Sequence, residues 1–405
     1  MTRGYQSTML VLPQSATLKQ LFEVMETAFA QRRTFGFSHD DAGTLGGTVV
    51  LYNIPRDCRQ PYQEFYGAYY PTVTIVWAYT SDWEDNGNDD PPDTDRKTRG
   101  HIGLHLQGNA SGVPEFIARV EPAVVKCVMG FERALDIKHA SPHTAVVVRH
   151  YNDNSEPFIH HPYGPAAGAR AWIDQFRDSV TSIAGRLRTE HGDQEILLYV
   201  EGPNEEYATG ADNSAILAFD IAFCQAVAEM EARIGPVPFT AAVGNPGEEE
   251  YEALVPLARA CADAKGLMGY HNYWLANPGY GGPDHLWQHL AGRWTEMDKV
   301  FVRHGVYVRW FGGESGVVGG KSGPGWVSLM PHDGWKSKEC LGGDWNRYLD
   351  QIMRADELIA QWNSEHGDRY LGVVLFTTSG PGWDSFDIGT NEIAGIGDAL
   401  LERYT

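Results

Sequence analysis

Two glutamates stand in surroundings suited to acid–base and nucleophilic chemistry. Glu205 closes the run Gly202-Pro203-Asn204-Glu205, and Glu314 sits within Gly312-Gly313-Glu314-Ser315-Gly316. Each follows a short apolar run, residues 196–201 and 306–312, of the type that forms strands buried on both faces. Two carboxylates facing each other over a substrate can cleave a glycosidic bond. One protonates the leaving oxygen, while the other attacks the anomeric carbon or activates water. The bland alternative for Glu205 is a carboxylate at a helix N-terminus. Glu201 and Glu206 are its local rivals: Glu201 points toward an interior, and Glu206 reads as a first-turn surface charge.

Other polar residues fall at the ends of similar runs. They are His105 and Gln107, Lys126, Arg149 with His150, Asn204, Asn245, His271 with Asn272 and Tyr273, and Trp383 with Asp384. Arg149 lies inside an apolar run and needs a carboxylate partner.

The elements that must position these residues follow a strand-then-helix rhythm. Strands are predicted at 101–107, 123–129, 145–151, 196–201, 239–243, 266–273, 306–312 and 372–378. Helices are predicted at 167–190, 212–234, 248–264, 285–304, 344–364 and 391–403. Eight strands alternating with helices predict an α/β fold, a (β/α)8 TIM barrel, over residues 100–405. An open doubly wound sheet is the competitor, but no G-x-G-x-x-G fingerprint follows the first strand. In a barrel, strands four and seven lie across the mouth from each other, which sets Glu205 opposite Glu314. A small N-terminal domain over 1–83 reads β-α-β-α-β, with strands at 8–12, 47–53 and 72–79 and helices at 15–33 and 60–70. Its role is unassigned. Residues 84–99, rich in Asp and carrying Pro91-Pro92, read as an acidic linker.

With that frame in place, the Asn-Glu after strand four and the Glu after strand seven resemble a large clan of retaining (β/α)8 glycoside hydrolases. Cellulases, mannanases, β-xylosidases and β-galactosidases belong to it. The resemblance covers about residues 100–405 and points to no single family within the clan. It implies Glu205 as acid/base and Glu314 as nucleophile. It further implies that Asn204 hydrogen-bonds the sugar 2-hydroxyl, that Tyr273 beside His271 steers the nucleophile, and that Trp383 floors the sugar subsite. Arg149, or Lys126 in its stead, fills the clan's arginine position. Gly-Gly before Glu314 departs from the usual Thr-Glu or Ser-Glu, and would let a sugar approach the backbone. Burial and the Glu314 charge are expected to raise the Glu205 pKa, keeping it protonated as an acid.

The chain holds 12 Trp and 19 Tyr, and aromatic faces stack on the C–H faces of sugars. Trp326 and Trp335 fall in a predicted loop at 312–344, and Trp274 and Tyr280 follow strand six. Hydrophobic anchoring of those loops is the alternative. His105 is placed with the substrate-binding residues. Two other functions stay in view. A metal-dependent barrel hydrolase would use the histidines, but it wants His-x-His after strand one where this chain has His101-x-x-x-His105. A non-catalytic glycan-binding barrel would keep the tryptophans without needing paired glutamates. The favoured reading requires no metal and no cofactor, and takes an oligosaccharide, polysaccharide or glycoside as substrate.

Lys and Arg number 32 against 53 Asp and Glu, a net charge of −21 over 405 residues. That balance argues against nucleic acid as a partner. No run of 18 apolar residues suggests a membrane span, and no secretory signal is visible. The chain therefore fits the cytoplasm, or secretion with a signal removed. Five scattered cysteines with no Cys-x-x-Cys read as reduced, buried thiols.

Overall fold

The structure, a computed structural model, describes residues 100–405 except 109–110, 153, 192–195, 232, 277–281, 324–325, 331–332, 381 and 405. Of residues 1–99 it describes four strands. Side chains are described from residue 100 onward, apart from residues 321–332. The chain divides into two compact units, Met1–Arg96 and Lys97–Thr405.

In the first unit, β1 (Thr8–Val11), β2 (Thr34–Gly36), β3 (Thr48–Tyr52) and β4 (Thr74–Ala78) form a parallel sheet in the order β2-β1-β3-β4. The three residues of β2 are too few to show a period, so the sequence gives no sign of them. The helices predicted at 15–33 and 60–70 and the linker at 84–99 lie outside the described residues.

The second unit is a (β/α)8 barrel. Its strands are β5 (Ile102–Leu106), β6 (Val124–Val128), β7 (Ala145–Arg149), β8 (Leu198–Glu201), β9 (Ile234–Val237), β10 (Leu267–Leu275), β11 (Arg309–Gly323) and β13 (Tyr370–Thr378). All neighbours pair in parallel around the ring. The ring closes between the segment after β9 and β10. There Gly269 N–H donates to Pro238 O at 3.1 Å, and His271 N–H donates to Ala241 O at 3.0 Å. Around it lie α1 (Val113–Val120), α2 (Arg133–Ala140), α3 (Glu156–Ile159), α4 (Pro165–Asp174), α5 (Arg177–Glu190), α6 (Ser214–Met230), α7 (Val255–Asp263), α8 (Trp294–Arg303), α9 (Trp345–His366) and α10 (Thr390–Tyr404).

A period of two along the strands builds the interior in layers. Val124, Val147, Tyr199, Val237, Leu267, Phe311 and Val374 form one buried apolar cluster, a residue from each of seven strands. Two residues further on, the same inward face carries Lys126, Arg149 and Glu201. The apolar layer thus plugs the bottom of the barrel and leaves a charged layer above it, toward the strands' C-terminal ends. A second, larger core fills the space between strands and helices.

Six predicted elements differ, two of them in helix type and length: the helix predicted at 285–304 is a 3-10 turn at Trp287–His289 and then α8, and the one at 248–264 opens as a 3-10 helix, Glu248–Leu254, before α7. The helix predicted to run to residue 234 ends at Met230, and Ile234 instead opens β9, placed at 239–243 from sequence. Pro236 and Pro238 obscure this strand, since proline normally argues against a central one. The stretch predicted at 167–190 is two helices, broken at residues 175–176. The predicted loop at 312–344 is largely a hairpin. β11 runs through Glu314 to Gly323, and β12 (Trp326–Met330) returns antiparallel to it. Its glycine content masked the strand. Cys127, Cys224, Cys261 and Cys340 are buried free thiols. No helix among the described residues is long and apolar enough to cross a membrane.

Candidate active site

The C-terminal ends of the strands open into a cleft of about 460 Å³, a volume suited to a small ligand. Glu205 and Glu314 both line it, with Arg149, Asn204, Tyr273 and Trp383. A carboxylate oxygen of Glu205, one of Glu314 and a ring nitrogen of His271 all lie within 4.8 Å of one another.

Glu314 is held by a bulge. Against β10, β11 pairs Gly312 with Tyr270 and then Glu314 with His271, so Gly313 is the extra residue. Gly312 is required for space: a Cβ there would come within 2.6 Å of the Tyr370 hydroxyl and the Asn272 side-chain oxygen. Gly312 therefore serves the packing behind Glu314, whereas a Cβ on Gly313 would make only ordinary contacts, at 3.5–3.6 Å from His271 and Lys126.

Four groups face the Glu314 carboxylate. Tyr273 OH donates to Oε2 at 3.0 Å. Arg149 Nη1 lies 3.5 Å and Lys126 Nζ 3.9 Å from Oε1, and His271 Nδ1 lies 3.7 Å from Oε2. Burial and the neighbouring carboxylates push the Tyr273 phenol well above its ordinary value, so it remains a donor. Lys126 also donates to Glu201 Oε1 at 2.8 Å and to the Gly313 carbonyl at 3.0 Å. Lys126 and Glu201 are both fully buried. Burial lowers the Lys126 pKa, partly offset by the two glutamates. Two cations and two carboxylates thus form a balanced quartet at the base of the cleft, of which Arg149 and Glu314 line it.

Glu205 occupies a different setting. Its side chain is 40% exposed, against 10% for Glu314. Its backbone has φ 58°, in the left-handed region, where a non-glycine residue costs roughly 1–3 kcal/mol. The Glu205 N–H donates to Thr240 O at 2.9 Å and fixes that turn. His271 Nδ1 lies 2.6 Å from Glu205 Oε1, donating when the carboxyl is ionised. Burial pushes the Glu205 carboxyl up, but the His271 hydrogen bond and the Arg149 and Lys126 charges outweigh it. The group sits below the usual glutamate value. This reverses the expectation from sequence, which rests on burial and Glu314 and leaves out the His271 hydrogen bond and the cations that outweigh them.

The other candidates divide. Trp383 is half-buried on an aromatic wall with Phe376 and Phe386, at ring distances of 5.1 and 5.9 Å. His271 is wholly buried and does not line the cleft itself; its Nδ1 meets Glu205 at 2.6 Å and Glu314 at 3.7 Å, and both of those line it. His105 is wholly buried too, beside Phe376, and does not line the cleft. Burial and the Lys126 and Arg149 charges hold its imidazole well below the ordinary value, so it is neutral. Trp335 is buried, stacked on Tyr348 at 5.0 Å with its indole N–H donating to Phe386 O, and anchors the core rather than the cleft. Trp274 is likewise buried, donating to Gln351. The side chain of Trp326 and residue Tyr280 lie outside what is described.

Tyr151 was missed from sequence. It lines the cleft and is 53% exposed, an aromatic face two residues past Arg149. From sequence, Lys126 stands as a substitute for Arg149 and Glu201 as a rival to Glu205; the structure pairs the two. Their alternation with the apolar layer was the available signal. Glu205, His271 and Glu314 are also a donor set that a divalent metal could use. Lys126 and Arg149 already supply positive charge there, which disfavours a further cation.

No protein-family model matches the sequence, and no curated protein matches it. Among solved structures the chain is similar to XacCel5A in complex with cellopentaose, at 12% identity and a TM-score of 0.41. That match covers 74% of this chain and 99% of that one. It is similar to a broad-specificity endoglucanase from Ruminococcus champanellensis with bound cellotriose, at 12% identity and TM-score 0.39, covering 73% and 87%. It is also similar to the catalytic domain of a mannanase from Streptomyces sp. SirexAA-E, at 15% identity and TM-score 0.37, covering 75% and 83%.

Proposed function

We propose that the chain is a glycoside hydrolase that retains anomeric configuration, with Glu314 as nucleophile and Glu205 as acid/base. The observation that carries this is the pair of carboxylates in one cleft, with oxygens within 4.8 Å. Carboxyl groups about 5–5.5 Å apart suit retention, whereas inversion needs about 6.5–9.5 Å to admit a water. Glu314 is buried with Arg149, Lys126 and the Tyr273 hydroxyl around its carboxyl group, which hold it in place for attack. Glu205 is more exposed and pairs with a histidine, which suits a group that exchanges protons. Asn204, Tyr151 and Trp383 offer a side-chain amide and two aromatic faces for sugar hydroxyls and C–H faces.

In the first step Glu314 attacks the anomeric carbon while Glu205 gives its proton to the departing oxygen. A glycosyl ester forms on Glu314. In the second step Glu205 takes a proton from water as the water attacks that carbon, and Glu314 is released. Esterification removes one negative charge from the quartet. Lys126 and Arg149 then face only Glu201, and the surplus positive charge favours ionised Glu205, the form needed as base.

Metal-assisted hydrolysis is the second reading, favoured by the Glu205, His271 and Glu314 donor set. Hydrolysis of a panel of aryl glycosides in EDTA separates the two. Full activity with chelator is expected. Activity lost in EDTA and restored by zinc overturns the proposal in favour of the metal reading.

The pH dependence follows from the position of Glu205. A general acid works only while protonated, and a carboxyl held below its ordinary value loses its proton at a lower pH. For substrates with poor leaving groups, kcat/KM should therefore be highest at acidic pH and fall toward neutrality. In His271→Ala the carboxyl loses the bond that lowers it, so this limb should move to higher pH. A limb that stays in place or moves down would remove His271 from the control of Glu205.

A further inference from the structure

Behind the acid/base loop lies a buried carboxyl that the mechanism above does not use. Asp220, on α6, is 2% exposed. Its Oδ2 accepts from Tyr207 OH at 2.9 Å and from the Phe239 N–H at 3.2 Å. Tyr207 lies two residues beyond Glu205. Phe239 immediately precedes Thr240, whose carbonyl accepts the Glu205 N–H and whose hydroxyl donates to Pro203 O. Asn204 and Thr240 also form a parallel bridge. One oxygen of Asp220 therefore ties together both segments that frame Glu205.

Those segments are strained, which makes the tie informative. Phe239 has φ 59° and Glu205 φ 58°, both left-handed for residues with bulky side chains. Such conformations persist only where surrounding bonds over-determine them. The Tyr207 and Phe239 rings meet edge to face at 4.8 Å, completing a closed unit. Burial pushes the Asp220 carboxyl up to about 7, against the two hydrogen bonds that lower it. With both donors on Oδ2, the proton has Oδ1 to occupy, so either protonation state can keep the tie.

We infer that Asp220 is a positioning residue for the general acid: through Tyr207 and the Phe239–Thr240 segment it sets the backbone from which Glu205 reaches the leaving oxygen. The inference rests on the glycosidase reading and adds a residue to it. Loss of the tie should harm the step that needs proton donation and spare the step that does not.

The test is a leaving-group series of aryl glycosides with wild type, Asp220→Ala, Asp220→Asn and Tyr207→Phe, with thermal melting on each. A misplacement near 1 Å costs on the order of 10²-fold. In Asp220→Ala, kcat/KM should fall about 10–100-fold for poor leaving groups and less than about 3-fold for the best one. Tyr207→Phe should show the same selectivity at smaller size, and it keeps the test available if Asp220→Ala does not fold. Asp220→Asn, whose amide oxygen can accept both bonds, should restore near-wild-type values. Equal losses across the series, or no loss in a folded Asp220→Ala or Tyr207→Phe, would overturn the inference. A wild type that hydrolyses no glycoside would instead defeat the parent reading.

Discussion

Glu314→Ala should lower turnover of aryl glycosides by on the order of 10⁵-fold, the scale seen when a covalent nucleophile is deleted. Leaving-group quality should not rescue it. The missing event is bond formation at the anomeric carbon, and a better leaving group cannot supply an attacking atom. Added azide can enter the space vacated by the side chain, and any azide product should carry inverted configuration. The assay is single-turnover hydrolysis of an activated substrate with and without azide. The surrounding geometry sharpens the expectation. Tyr273 OH at 3.0 Å and Arg149 at 3.5 Å aim at the carboxylate and do not substitute for it. Activity within about tenfold of wild type would remove Glu314 from the mechanism.

Glu205→Ala should behave differently. General acid catalysis contributes roughly 10²–10⁴-fold, so poor leaving groups should lose about that much. Activated leaving groups need little proton donation, and with them the glycosyl-enzyme should still form. It should then accumulate, because the base for the second step is also gone. Azide needs no general base and should restore turnover, giving a glycosyl azide of retained configuration. The opposite azide stereochemistries of the two variants separate the roles more cleanly than the size of either loss. Uniform loss across all leaving groups in Glu205→Ala would assign it a structural part instead.

The barrel and the two glutamates were legible because their signals are local. Short β-rich runs mark strands buried on both faces, and polar residues at their ends mark the mouth. What sequence could not show was what faces what. Lys126 appears as a lone cation in an apolar strand, and only the closed barrel brings Glu201 and the Gly313 carbonyl to it. The direction of the Glu205 pKa is hidden for the same reason: burial can be guessed from a strand end, but the His271 hydrogen bond from β10 and the Arg149 and Lys126 charges from β7 and β6 cannot. Trp335 looked like a sugar platform because it sits in a glycine-rich stretch. Its stacking on Tyr348 depends on how α9, which begins at Trp345, packs back on the segment before it. Strand β9 was displaced because its prolines argue locally against what ring closure requires. Asp220 carries no sequence signal of its role, being one of two acids, with Glu229, in a largely apolar helix.

The most direct test of the central claim is the configuration of the first-formed product. Glycosides and polysaccharides are screened for hydrolysis, and the best substrate is followed by proton NMR before mutarotation. A double displacement by Glu314 and Glu205 predicts that the first anomer released has the configuration of the substrate. Appearance of the opposite anomer first, or no hydrolysis anywhere in the panel, would contradict the account.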